Sequence, residues 1–175
     1  MLPTDRAMPA LLESLHTLDF AYEDEDGNGI EFEPYDAFYS QADTTHWIRA
    51  WTGNAALDGH EYLFFGQDGT GGMVGFWCIR DTEELLDQPI VFFGSEGALG
   101  VVACNIYDYL WLLAAGIGPM EAIEYGVDDE VEARVDFTHY AQALAAPAKK
   151  PAAAVLAAAA AEFPDFEKNM MALCR

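Results

Sequence analysis

Glu61-Tyr62-Leu63-Phe64-Phe65-Gly66, then Asp68-Gly69-Thr70-Gly71-Gly72, then Met73-Val74-Gly75-Phe76-Trp77-Cys78-Ile79-Arg80: this run decides the fold. Two apolar, aromatic-rich segments of strand length flank a glycine cluster. Glycines supply the positive φ that tight turns need, so the run predicts a β-hairpin. Pro89–Gly94 (PIVFFG) repeats the strand pattern after the acidic connection Asp81–Asp87, Ser95-Glu96-Gly97 supplies another turn, and Ala98–Cys104 (ALGVVAC) a fourth strand. Short consecutive strands joined by tight turns predict an antiparallel meander.

Helical patterns lie on both sides of these strands. Leu11, Leu12, Leu15 and Leu18 share one helical face, so a helix is expected within residues 6–18. Tyr35, Phe38, Tyr39 and Ala42 suggest a short helix, and Trp47, Ile48 and Trp51 a second or continuing one. After the strands, Asn105 is placed to cap Ile106–Ala115, which Gly116 and Gly118 stop. Pro119 suits the first turn of a helix ending at Gly126, Phe137–Ala146 reads as another, and Pro151 and Pro164 can each open a terminal one. Grouped strands flanked by helices give an α+β fold, with a mainly antiparallel sheet of about four or more strands.

The chain carries 30 acidic residues against 8 basic ones, a formal charge of −22, yet 52% of it is hydrophobic. Its 4 Trp, 8 Tyr and 11 Phe set it apart from an acidic disordered tail. A folded surface this negative repels nucleic acid and anionic membranes and attracts basic proteins. The charge divides the chain: residues 1–148 hold 27 acids and 4 bases, whereas residues 149–175 hold 3 acids and 4 bases. We therefore read 1–148 as the α+β domain and the alanine-rich 149–175 as a C-terminal helical extension. Cys78, Cys104 and Cys174 form no CxxC pair and read as reduced thiols. The start lacks the basic and apolar regions of a secretion signal, and the longest apolar runs fall well short of the roughly 20 residues of a membrane span. The expectation is a soluble, cytoplasmic protein.

Chemistry-bearing motifs are sparse. Asp24-Glu25-Asp26-Gly27-Asn28-Gly29 matches the first half of an EF-hand loop, making Asp24, Asp26 and Asn28 the metal candidates. The loop then fails, because Tyr35 stands where a bidentate Glu is needed. The Gly66–Gly72 cluster leads into a strand with no Lys nearby, the wrong context for a phosphate loop. Ser95 lacks a nucleophile elbow, and His16, His46, His60 and His139 form no HExxH pair. No catalytic residue and no cofactor is therefore expected. Trp47 with Trp51, and Tyr107 with Trp111, are one helical turn apart and read as core anchors. Glu121, Glu124, Asp128, Asp129, Glu130 and Glu132 form a dense acidic run, the leading candidate for docking a basic partner.

Residues 61–113 resemble the SUKH superfamily of cell-wall-synthesis regulators and bacterial toxin-immunity proteins. The resemblance rests on Phe64–Phe76 with its glycine turn, on Ile90–Gly97, and on the helix entered at Asn105-Ile106-Tyr107-Asp108-Tyr109-Leu110. It implies a SUKH-like α+β domain that binds another protein and has no catalytic residues. Joined to the charge, it leads to the expectation of an immunity protein that neutralises a basic toxin such as a nuclease. A regulatory or scaffold domain of the same fold, or a protein binding calcium or a small ligand, are the alternatives.

Overall fold

The computed structural model describes residues 7–20, 29–82, 84–127, 132–144 and 149–175. Five strands form one sheet in chain order: β1 (Glu33–Pro34), β2 (Tyr62–Gln67), β3 (Met73–Trp77), β4 (Ile90–Phe93) and β5 (Leu99–Ala103). Every neighbouring pair is antiparallel. The four expected strands are present, and the short β1 adds an edge. The β2–β3 turn is fixed by Asp68, whose Oδ1 accepts hydrogen bonds from Thr70 N, Thr70 Oγ1 and Gly72 N, each at 2.8 Å. Gly71 takes φ +89° there, the left-handed backbone that the glycine cluster anticipates. The register of β2 against β3 shifts between Phe64 and Gly66. A side chain at Gly66 would collide with the Phe32 ring, 2.2 Å from where its Cβ would stand.

The strands are apolar without interruption because both faces of the sheet are covered. Successive residues alternate faces: Leu63, Phe65, Val74, Phe76, Ile90 and Phe92 enter one core, while Tyr62, Phe64, Met73, Val91 and Phe93 enter the other. The first core is closed by α1 (Ala10–Leu15), α3 (Ile106–Ala114) and α5 (Val135–Leu144), through Leu12, Leu15, Tyr109, Leu113 and Phe137. The second is closed by α2 (Gln41–Thr52) and α7 (Phe166–Met171), through Ile48, Phe166 and Met170. The result is a meander sheet between two helical layers.

Helices begin at the expected Asn105 cap and at the expected Pro119. Asn105 Oδ1 accepts from Asp108 N at 2.9 Å at the start of α3, and Pro119 opens α4 (Pro119–Glu124). Ser40 caps α2 by accepting from Asp43 N. The expected helix over Tyr35, Phe38 and Tyr39 does not form. Tyr35 N and Tyr39 N instead donate to the β2 carbonyls of Phe65 and Phe64, and the two tyrosine rings stack 5.1 Å apart. Pairing with the sheet edge satisfies these amides outside a helix, and the helix starts only at Gln41.

Residues 149–175 pack into both cores. Ala152 and Val155 of α6 (Ala152–Glu162) join the first, and Phe166 and Met170 of α7 join the second. Lys150 Nζ lies 2.7 Å from Asp108 Oδ1, pinning the tail to the first turn of α3. The extension, distinct in composition, thus shares the hydrophobic interior of the chain before it. Among the described residues, no helix is long and apolar enough to cross a membrane.

Candidate binding surface and the cavity beside α7

Of the acidic run proposed for docking, Glu124 and Glu132 are exposed, and Tyr125 beside Glu124 is 75% exposed. Glu121 is turned inward: its Oε2 is enclosed, 2.3 Å from where a Cβ on Gly118 would stand. Asp128, Asp129 and Glu130 lie outside the described residues, as do Asp24, Asp26 and Asn28. The aromatic pairs are packed as expected. Trp47 and Trp51 are half-buried and contact the Phe93 ring edge-on, and Trp51 Nε1 donates to Gly94 O at 2.8 Å. Trp111 is buried and Tyr107 half-buried.

Five of the eight cations are engaged within the chain. Arg49 Nε donates to Leu57 O at 2.7 Å. Arg80 donates to the carbonyls of Asp87 and Cys104 and pairs with Glu162. Arg134 donates to Asp19 O and approaches Asp136. Lys150 holds Asp108, and Lys168 lies 3.7 Å from Asp165. The large acidic excess therefore has little positive charge to answer it on this molecule.

The second core is incompletely covered. Between the ends of β2 and β3 and the flank of α7 lies a cavity of about 590 Å³. Tyr62, Trp77, Phe166 and Met170 form its apolar walls, with Ile79 and Leu173 at 52% and 41% exposure. The segment just after α7 is held by its backbone: Asn54 Nδ2 donates to Leu173 O at 2.8 Å and Arg175 N to Thr52 O at 2.9 Å. Tyr62 Oη donates to Met170 Sδ at 3.3 Å inside the wall. Arg80 also lines the cavity, its charge committed to Glu162.

At the rim, the turn Asp58-Gly59-His60-Glu61 brings three ligand-capable groups together. His60 Nδ1 is 2.5 Å from Asp58 Oδ1 and 3.5 Å from Glu61 Oε2. The three donor atoms all lie within 4.8 Å of one another, a mixed nitrogen–oxygen set that suits a divalent metal in kind. The hydrogen bond that His60 Nδ1–H donates to Asp58 holds the imidazole above its ordinary value, and the same bond holds Asp58 below the usual carboxylate range. A metal at this turn would compete with the proton that Asp58 stabilises. The search for HExxH spacing passes over this turn, although Asp-x-His-Glu at the entry to a strand was there to be read. Elsewhere, burial pushes the Cys104 thiol up to about 11, with Glu162 adding to the effect, so it is a poor nucleophile.

The chain matches no family model, no curated protein and no solved structure.

Proposed function

We propose that this chain is a non-enzymatic module that binds a basic protein, acting as an immunity protein that neutralises a basic toxin. One observation carries the reading: 30 acids face 8 bases, and the side chains of Arg49, Arg80, Arg134, Lys150 and Lys168 are already engaged within the chain. An acidic field left unanswered by its own cations attracts a cationic partner and speeds encounter, by roughly 10 to 10³ in on-rate. Nuclease toxins have the matching surface, since they must carry positive charge to hold phosphates. The resemblance of residues 61–113 to the SUKH superfamily supports the same reading. Glu124 and Glu132, on either side of the exposed Tyr125 in sequence, are the exposed positions of the proposed docking face among the described residues.

The test is affinity capture from the native cell, followed by surface plasmon resonance against the captured partner at two salt concentrations. Association should slow as salt rises, and Glu124→Lys with Glu132→Lys should slow it further while the fold is retained. An association rate indifferent to both salt and charge reversal overturns the electrostatic reading.

A further inference from the structure

The cavity beside α7 opens the second core to solvent through an apolar lip. Its walls are Tyr62, Trp77, Phe166 and Met170, and Ile79 and Leu173 stand at the lip, each with about half of its surface in water. A volume of about 590 Å³ falls in the range of pockets that hold a substantial side chain or small ligand. The rim carries net negative charge: Glu61 and Asp81 line it, and its two cations are each matched by a further carboxylate, His60 by Asp58 and Arg80 by Glu162. An apolar floor inside a charged rim is the anatomy of an interface anchor site, where a buried side chain supplies affinity and surrounding charges select the partner.

We propose that this cavity receives an apolar side chain flanked by lysine or arginine, presented by a basic protein partner. The proposal rests on the basic-partner reading and sharpens it. Charge complementarity selects the occupant. An apolar anchor alone satisfies the walls but does nothing for the net negative charge around the rim. A lysine or arginine alone satisfies the rim, but carried into the cavity its charge would be stripped of water among Trp77, Phe166 and Met170. A segment with an apolar centre and basic flanks satisfies both. The walls are preformed, because Asn54 and Thr52 fix the segment that follows α7, so little ordering of the receptor opposes binding.

The probe is the peptide Lys-Arg-Gly-Phe-Gly-Arg-Lys, compared with a Ser-centred version and with a Phe-centred version flanked by Glu. Each is titrated into the intact chain and followed by NMR at the Trp77 indole and the Met170 methyl. The Phe-centred basic peptide should bind about tenfold or more tighter than the Ser-centred one, the order of effect expected for burying one large apolar side chain. Leu173→Asp and Ile79→Asp, both at exposed positions, should erase that difference while thermal melting shows the fold intact. Glu61→Gln should weaken the basic peptides and leave the Phe-over-Ser preference in place. Equal binding of the Phe- and Ser-centred basic peptides overturns the anchor site and leaves the acidic-surface reading standing. Binding by neither basic peptide removes the anchor site, while salt-sensitive association with the captured partner would preserve the wider reading. Equal binding of the Glu-flanked peptide overturns the choice of a basic occupant. A preference that survives both lip variants places the site elsewhere and overturns the proposal.

Discussion

Phe92 and Phe93 are neighbours in one strand, fully buried, and they live in different molecules as far as packing is concerned. Phe92 enters the core under α1, α3 and α5. That core is broad, and α3 presents nearly every residue to it, from Ile106 to Ala114. Phe93 enters a core built largely from rings. It touches Trp47, Trp51, Tyr62, Phe64 and Phe166, with centroids 5.1 to 6.0 Å apart. Its cover is two helices, one of them only six residues long, and it leaves a cavity at the sheet's end. The difference teaches a division of labour. The first face secures the fold, and the second trades complete coverage for an opening that something else can fill.

The largest effect should come from truncating these two rings. Phe92→Ala and Phe93→Ala are each expected to cost about 3–5 kcal/mol, the range for an aromatic removed from a core. Phe92→Ala should be the costlier, because its dense surroundings relax least. Trp47, Trp51 and Phe166, carried on short helices that are partly exposed, can move inward to shrink the space left at Phe93. Urea denaturation of both variants reads the order directly. The reverse order would break the contrast between the faces.

How much of this was legible depends on how local the signal is. The meander could be read because each strand and its turn are contiguous: Asp68–Gly72 carries its own capping carboxylate and its own positive-φ glycine. The start of α3 could be read because a cap lies next to the helix it starts. Tyr35–Tyr39 was misread because apolar residues at helical spacing looked identical to residues whose amides pair with β2. The cavity could not be read, since its walls come from Tyr62 and Trp77 on one side and Phe166 and Met170 on the other, joined only by folding. Composition set residues 149–175 apart, whereas Val155 and Phe166 place them in the two cores. Of the proposed acidic face, the charge was legible, but Glu121 turns into space that Gly118, lacking a side chain, leaves open, which charge counting does not see.

A smaller effect sharpens the comparison through two lysines of the tail, one paired outside it and one within it. Lys150 meets Asp108, whose side chain is 6% exposed, whereas Lys168 meets Asp165 with both side chains largely in water. Lys150→Ala leaves a carboxylate sequestered without its cation, and about 1–2 kcal/mol should be lost, reduced from a fully buried pair because the lysine is itself 43% exposed. Lys168→Ala should stay within about 0.5 kcal/mol. Thermal melts of the two variants check this, and equal losses would mean that the Asp108 pair does not anchor the tail.

The smallest effect is on pH, and here the two faces should have opposite signs. His16 lies against the first core, 6.1 Å from the Phe32 ring and 6.0 Å from that of Phe65, and Tyr35 O stands 3.0 Å from its Nδ1. With Nδ1–H donating to that carbonyl, the neutral ring is satisfied. A second proton would put an N–H at the enclosed Nε2, which has no partner. Burial accordingly holds His16 below its ordinary value, despite the carbonyl and Asp36. The unfolded chain then binds that proton more readily than the folded one, so the stability His16 contributes is present above about pH 6.5 and is lost as pH falls toward its folded value. His60 is the reverse case. Asp58 raises it, so its contribution is present below about pH 6.5 and is lost as pH rises through its folded value. That contribution is small, because 55% of the His60 side chain is in water. NMR titration of the ring protons, assigned with His16→Gln and His60→Gln, should place His60 above and His16 below the ordinary value. Asp58→Asn should lower His60 and leave His16 unmoved. If both histidines titrate together, the first face is wetter than its packing indicates, and the contrast between a sealed face and an open one fails at the group best placed to report it.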